Sequence, residues 1–79
     1  MIQVRLFAAA ADAAGVASED VSSETLADLV RELQERHGEQ FAAVLDRCSV
    51  LVDGRAVTDP AESLSDAQVV DILPPFAGG

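Results

Sequence analysis

Residues 25–38, TLADLVRELQERHG, decide the fold of this chain. Apolar side chains recur there at i, i+3, i+4 and i+7, the spacing of one buried stripe on an α-helix. Thr25 followed by Asp28 resembles a capping box at the amino end, and Gly38 is free to turn the chain at the carboxyl end. The stripe itself consists of Leu26, Leu29, Val30 and Leu33. The sequence therefore predicts one main amphipathic helix.

Strand patterns precede this helix. The first segment, MIQVRLF, alternates apolar and polar side chains, as in a half-buried strand, and leaves Phe7 on the outward side. The segment AAAADAAG predicts a short helical turn that ends at Gly15. VASEDVS predicts a weaker second strand anchored by Val16 and Val21, antiparallel to the first because the connection is short. The inward residues of the first strand are Ile2, Val4 and Leu6.

Three further strands are expected after the helix. A second short helix is predicted over EQFAAVLDR, and SVLVDGRAV then indicates a hairpin with an Asp-Gly turn and an outward Leu51. AQVVDIL predicts the last strand, with Val70 and Ile72 on one side and Leu73 on the other, before Pro74 ends it. We expect an α+β domain over residues 1–73, a mixed sheet of about five strands with the main helix across one face, and a tail over residues 74–79.

Composition limits the possible functions. The 79 residues carry a formal net charge of −9, which disfavours binding to nucleic acid or to anionic membranes. A signal peptide and a transmembrane segment are not indicated, so we expect a soluble, cytoplasmic protein. One cysteine and one histidine cannot build a zinc site. Cys48 is better explained as a small buried residue than as a reactive thiol, and His37 as a helix cap or surface residue. Nothing in the domain body indicates catalysis.

The carboxyl end, PPFAGG, carries the reactive group instead. Six residues could extend about 20 Å beyond the last strand at roughly 3.3 Å each. Pro74 and Pro75 set an extended direction, and Gly78 and Gly79 make the tip narrow enough to enter a channel in another protein. The α-carboxylate of Gly79 is a poor electrophile until another protein activates it, for example by adenylation, after which it could accept sulfur or an amine. The simpler alternative is a frayed end.

The whole chain resembles the small subunit of molybdopterin synthase, a sulfur carrier of the β-grasp (ubiquitin-like) fold. VRLFA with AAG near the start and PPFAGG at the end carry the resemblance. It implies that a ubiquitin-activating-type adenylyltransferase, using ATP, activates Gly79, and that a sulfur-donating protein supplies the sulfur of a C-terminal thiocarboxylate. It also implies that the tail, with Phe76, Ala77 and Gly78 behind the prolines, inserts into the large catalytic subunit. The partner interface is expected to include Phe7, Leu51 and Leu73.

In that role the chain is a co-substrate rather than an enzyme, binds no metal or cofactor of its own, and donates sulfur to the dithiolene of molybdopterin. Two alternatives stay open. One is a sulfur carrier for thiamine or cysteine biosynthesis, which the Pro-Pro pair disfavours. The other is a ubiquitin-like protein modifier or interaction module. The absence of lysine from the sequence does not exclude a modifier, because its target supplies the amine.

Overall fold

A mixed five-stranded sheet forms the centre of the protein. The computed structural model describes residues 1–75. The elements are β1 (Ile2–Leu6), α1 (Ala9–Ala14), β2 (Ser18–Val21), α2 (Leu26–His37), α3 (Glu39–Leu45), β3 (Ser49–Val52), β4 (Arg55–Ala56) and β5 (Val69–Leu73). The strand order is β2-β1-β5-β3-β4. The first and last strands lie side by side and parallel, and the other pairs are antiparallel. The predicted β-grasp architecture is confirmed.

The two central strands divide the molecule into two faces. Along β1 the exposure alternates strictly, so Gln3 and Arg5 point to the side of the sheet opposite to the buried Ile2, Val4 and Leu6. Along β5, Val70 and Ile72 are fully buried. This period of two gives the sheet an inner face of aliphatic side chains and an outer face of mixed character.

The helix α2 supplies the other half of the core. Thr25 caps it as predicted, because the Thr25 hydroxyl accepts a hydrogen bond of 3.2 Å from the backbone N–H of Asp28. Its apolar stripe packs with the inner face of the sheet and with Phe41 of α3 in a single cluster, and Val30 lies at the edge of that cluster. The buried members are Ile2, Val4, Leu6, Ala10, Val21, Leu26, Leu29, Leu33, Phe41, Leu45, Val52, Val57, Leu64, Val70 and Ile72.

Two details of the amino-terminal half differ from expectation. Val16 is 41% exposed and precedes β2, so it is wrong as an anchor of that strand. The reason is Gly15, whose φ of 79° ends α1 in a left-handed turn, so that pairing with β1 starts only at Ser18. His37 is also less exposed than predicted: its ring lies 4.9 Å from that of Phe41, and Nε2 lies 2.6 Å from Glu19 Oε2. This pair ties α2 to β2.

Candidate functional site

The last strand delivers the tail from the middle of the sheet. β5 is paired with β1 as far as Ile72 on one side and with β3 as far as Leu73 on the other. Pro74 is half-buried and Pro75, in a turn, is exposed. Phe76, Ala77, Gly78 and Gly79 lie outside the described residues, so the roles predicted for them remain predictions. What the structure does show is that the root of the tail is held by hydrogen bonds on both edges of its strand.

The three predicted docking residues lie on the outer face of the sheet. Leu6 pairs with Ile72, so continuing the parallel register by one residue places Phe7 beside Leu73. Leu51 pairs with Asp71 and therefore lies diagonally across from Leu73. Phe7 is 38% exposed, and both leucines are half-buried. The fold thus brings the three side chains to one surface, although their contact with a partner remains a prediction.

An ion pair lies beside these apolar residues. Arg5 donates two parallel hydrogen bonds to Asp71, from Nε to Oδ1 at 2.6 Å and from a terminal nitrogen to Oδ2 at 2.9 Å. The hydrogen bond and then the charge of Asp71 raise the pKa of Arg5 above its ordinary value. The guanidinium carbon also lies 6.0 Å from the centroid of the Phe7 ring. We call the surface formed by Phe7, Leu51, Leu73 and this pair the outer face; its central charges neutralise each other.

Sequence reasoning missed this pair. The alternation of β1 and β5 places Arg5 and Asp71 on the outward side of their strands, which was visible in the sequence. Their contact, however, depends on the parallel pairing of the first and last strands, which joins residues 66 positions apart. Once that pairing is known, two outward residues of opposite charge in register are an available signal.

A groove opens at the root of the tail. It has a volume of about 410 Å³ and lies between the start of α1, the end of α3 and the two prolines. All but one of its lining side chains are apolar, and the exception is Arg47, in the turn after α3. We call it the tail-root groove; its lining residues are Ala8, Ala9, Ala43, Val44, Arg47, Pro74 and Pro75. No sequence pattern indicates this groove, because three separate segments build it.

Cys48, the one cysteine of the chain, is placed for a structural role. The thiol of Cys48 is half-buried and donates a hydrogen bond of 3.2 Å to the carbonyl oxygen of Val44. Burial raises the pKa of this thiol, which lowers its thiolate fraction. Within residues 1–75, no three histidine, cysteine or carboxylate side chains gather as metal ligands. In the same part of the chain, no helix has the length and apolarity that crossing a membrane requires.

The comparison with protein families decides the relationship of this chain. The model of the ThiS family matches residues 4–79, which include both the outer face and the whole tail. The chain belongs to the ThiS family. The predicted kinship with ubiquitin-like sulfur carriers is confirmed. A comparison with curated protein sequences found no significant match.

Solved structures resemble this ThiS-family protein over nearly its full length. A protein provisionally designated molybdopterin converting factor subunit 1, from Pyrococcus furiosus, is 30% identical, with 94% of this chain and 95% of that chain covered and a TM-score of 0.81. SAMP1 from Haloferax volcanii is 26% identical, with coverage of 99% and 98% and a TM-score of 0.76. A complex of subunits 1 and 2 of molybdopterin-converting factor from Helicobacter pylori contains the same fold at 24% identity, with coverage of 99% and 97% and a TM-score of 0.75.

Proposed function

We propose that this ThiS-family protein carries sulfur on the carboxyl group of Gly79 and donates it for the dithiolene of molybdopterin. The observation that carries the proposal is the position of the tail: PPFAGG follows directly on a central strand and falls within the family match. The Pyrococcus neighbour, at 30% identity over nearly the full length, supports the choice of the molybdopterin pathway. The Pro-Pro pair favours that pathway over thiamine or cysteine biosynthesis.

Activation of the tail proceeds in two balanced steps. In the first, the Gly79 carboxylate attacks the α-phosphate of ATP on a ubiquitin-activating-type adenylyltransferase, and pyrophosphate leaves. In the second, a sulfide-level sulfur nucleophile from a sulfur-donating protein attacks the acyl carbon and expels AMP, which leaves a thiocarboxylate. The ATP and the catalytic groups belong to these partners, so this chain acts as a co-substrate and not as an enzyme.

Sulfur delivery then depends on the geometry of the tail root. Residues 74–79 reach about 20 Å when extended, so the thiocarboxylate can enter an active site in the large catalytic subunit of molybdopterin synthase while the domain stays outside. Tethering replaces dilute sulfide by a sulfur atom held at high effective concentration. The complex of subunits 1 and 2 from Helicobacter pylori is a precedent for a second subunit that binds a domain of this fold.

Reconstitution with the large subunit tests this function. Thiocarboxylated protein mixed with the large subunit and the cyclic pterin precursor is expected to yield molybdopterin, and a variant lacking Gly79 is expected to yield none. The thermal midpoint of the variant should equal that of the intact protein, because the tail lies beyond the last strand. Product formed without Gly79 would contradict the proposal.

A protein modifier is the second candidate. The Haloferax neighbour is named SAMP1, and another SAMP1 structure of that organism is described as a small archaeal modifier protein, also at 26% identity. The same activated carboxyl group would then form an amide with a lysine of a target. Incubation with the activating enzyme, ATP and cell extract separates the two functions: covalent adducts that persist in reducing denaturant indicate a modifier, whereas a free thiocarboxylate indicates a carrier.

A further inference from the structure

Arg47 differs from the other arginines of the chain. Each of those four pairs with a carboxylate, whereas the side chain of Arg47 makes no salt bridge or hydrogen bond with any of residues 1–75. The chain has 14 acidic and five basic residues, so an arginine without a carboxylate partner among residues 1–75 is exceptional here. The four pairs are Arg5–Asp71, Arg31–Asp28, Arg36–Glu19 and Arg55–Glu62.

The surroundings of Arg47 are apolar. In the tail-root groove it is the one charged lining residue, and the others are alanines, a valine and the two prolines. Ala43 is exposed and Val44 is half-buried, so the floor of the groove is accessible from outside. The volume of about 410 Å³ lies in the range of about 300–1,000 Å³ that is usual for binding pockets. The groove therefore offers space for apolar side chains and one cation at its edge.

The groove also includes the first two residues of the tail, Pro74 and Pro75. Pro74 and Pro75 form one of its walls, so a protein that encloses residues 76–79 has to approach this wall. Phe7 and Leu73 of the outer face are the chain neighbours of Ala8 and Pro74 in the groove. A partner that encloses the tail thus approaches both the outer face and the groove where the tail leaves the sheet.

We propose that the tail-root groove receives a segment of the large subunit that presents an apolar side chain next to an aspartate or glutamate, whose carboxylate pairs with Arg47. This inference rests on the proposed function, which names the protein that takes up the tail. The overall charge of −9 favours a basic partner, but at this position the partner is acidic. A contact whose charges are opposite in sign to those of the rest of the interface fixes the orientation in which the domain docks.

A segment of the partner fits the groove better than the chain's own last residues. Sulfur transfer requires residues 76–79 to enter another active site, so they cannot fill the groove during that step. The docked partner would leave Arg47 desolvated without a counter-charge, and an unpaired buried charge is costly. A carboxylate on the partner removes this cost, and together with Arg47 it rejects partners that carry a basic residue at this position.

Binding of the purified large subunit to the full-length chain tests the inference, with isothermal titration as the measurement. Arg47→Glu is expected to raise the Kd about tenfold or more, because it places the carboxylate at position 47 next to the carboxylate of the partner. Arg47→Lys should keep most of the affinity. Ala43→Trp, which fills the groove from an exposed helical position, should weaken binding to a similar extent. The matched controls are Arg31→Glu and Ala27→Trp on α2, both exposed and both outside the groove; they should leave the Kd within about twofold.

Three results would overturn the inference. A Kd for Arg47→Glu within about twofold of wild type shows that Arg47 has no acidic contact on the partner. Equal losses in the α2 controls show a nonspecific effect of charge or bulk. A Kd for Ala43→Trp within about twofold of wild type shows that no partner segment occupies the groove. If the wild-type chain itself fails to bind the large subunit, the proposed function falls with the inference; if it binds and the groove variants bind equally, only the inference falls.

Discussion

Phe7→Ala is the substitution that most directly tests the outer face as a docking surface. A phenylalanine side chain exposes about 200 Å² when unfolded, and Phe7 remains 38% exposed in the folded protein. About 75 Å² is therefore available for burial by a partner, which at about 25 cal/mol per Å² corresponds to about 1.9 kcal/mol. Since 1.4 kcal/mol is a factor of ten, we expect the Kd for the large subunit to rise about 20-fold.

The assay for this variant has to separate lost docking from lost stability. The larger part of the Phe7 side chain is already covered in the free protein, so Phe7→Ala should also lower the free energy of unfolding by about 1–3 kcal/mol. Val30→Ala on α2 is the matched control, because Val30 packs at the edge of the core on the other side of the sheet. It should lower the thermal midpoint comparably and leave the Kd unchanged. A Kd for Phe7→Ala within twofold of wild type, or an equal loss in Val30→Ala, would refute the reasoning.

Two further predictions concern the body of the domain. Thr25→Ala removes the hydroxyl that caps α2 and should cost about 1 kcal/mol, a fall of roughly 4–8 °C in thermal midpoint, whereas Thr25→Ser should retain most of the stability; equal midpoints for Ala and wild type would show that the cap contributes nothing. Burial raises the pKa of Cys48, so near pH 8 iodoacetamide should alkylate the native protein more slowly than the urea-unfolded protein, and equal rates would contradict this. Because burial raises the pKa of Cys48 only in the folded state, the neutral thiol makes its full contribution to the free energy of unfolding at pH values below the ordinary pKa of 9.0. This contribution is lost as the pH rises through the pKa of the folded state.

Local patterns predicted the elements well because their causes are local. The period-two alternation of β1 and the stripe of α2 identify the buried side of each element without reference to any other. The same holds for the Asp53–Gly54 turn, where both residues have positive φ, at 49° and 84°. Val16 failed because a β-branched residue after a glycine resembles the start of a strand, whereas the left-handed turn at Gly15 delays the pairing.

The site was predictable in part for the same reason. Phe7 and Leu73 could be placed on the outward side from alternation alone, and the glycine-terminated tail is a linear motif. The Arg5–Asp71 pair required the register between the first and last strands, and the groove around Arg47 required the packing of three segments distant in sequence. Such contacts depend on tertiary arrangement, which a pattern of spacing does not contain.

The mass of the intact protein is the most direct test of the central claim, that Gly79 carries sulfur. The protein is incubated with its activating enzyme, ATP and sulfide, alongside a Cys48→Ala variant that excludes sulfur bound to the thiol. The account predicts, for both proteins, the mass increase that accompanies replacement of one carboxyl oxygen by sulfur, located in the C-terminal peptide. An unchanged mass, or an increase that disappears with Cys48, would contradict it.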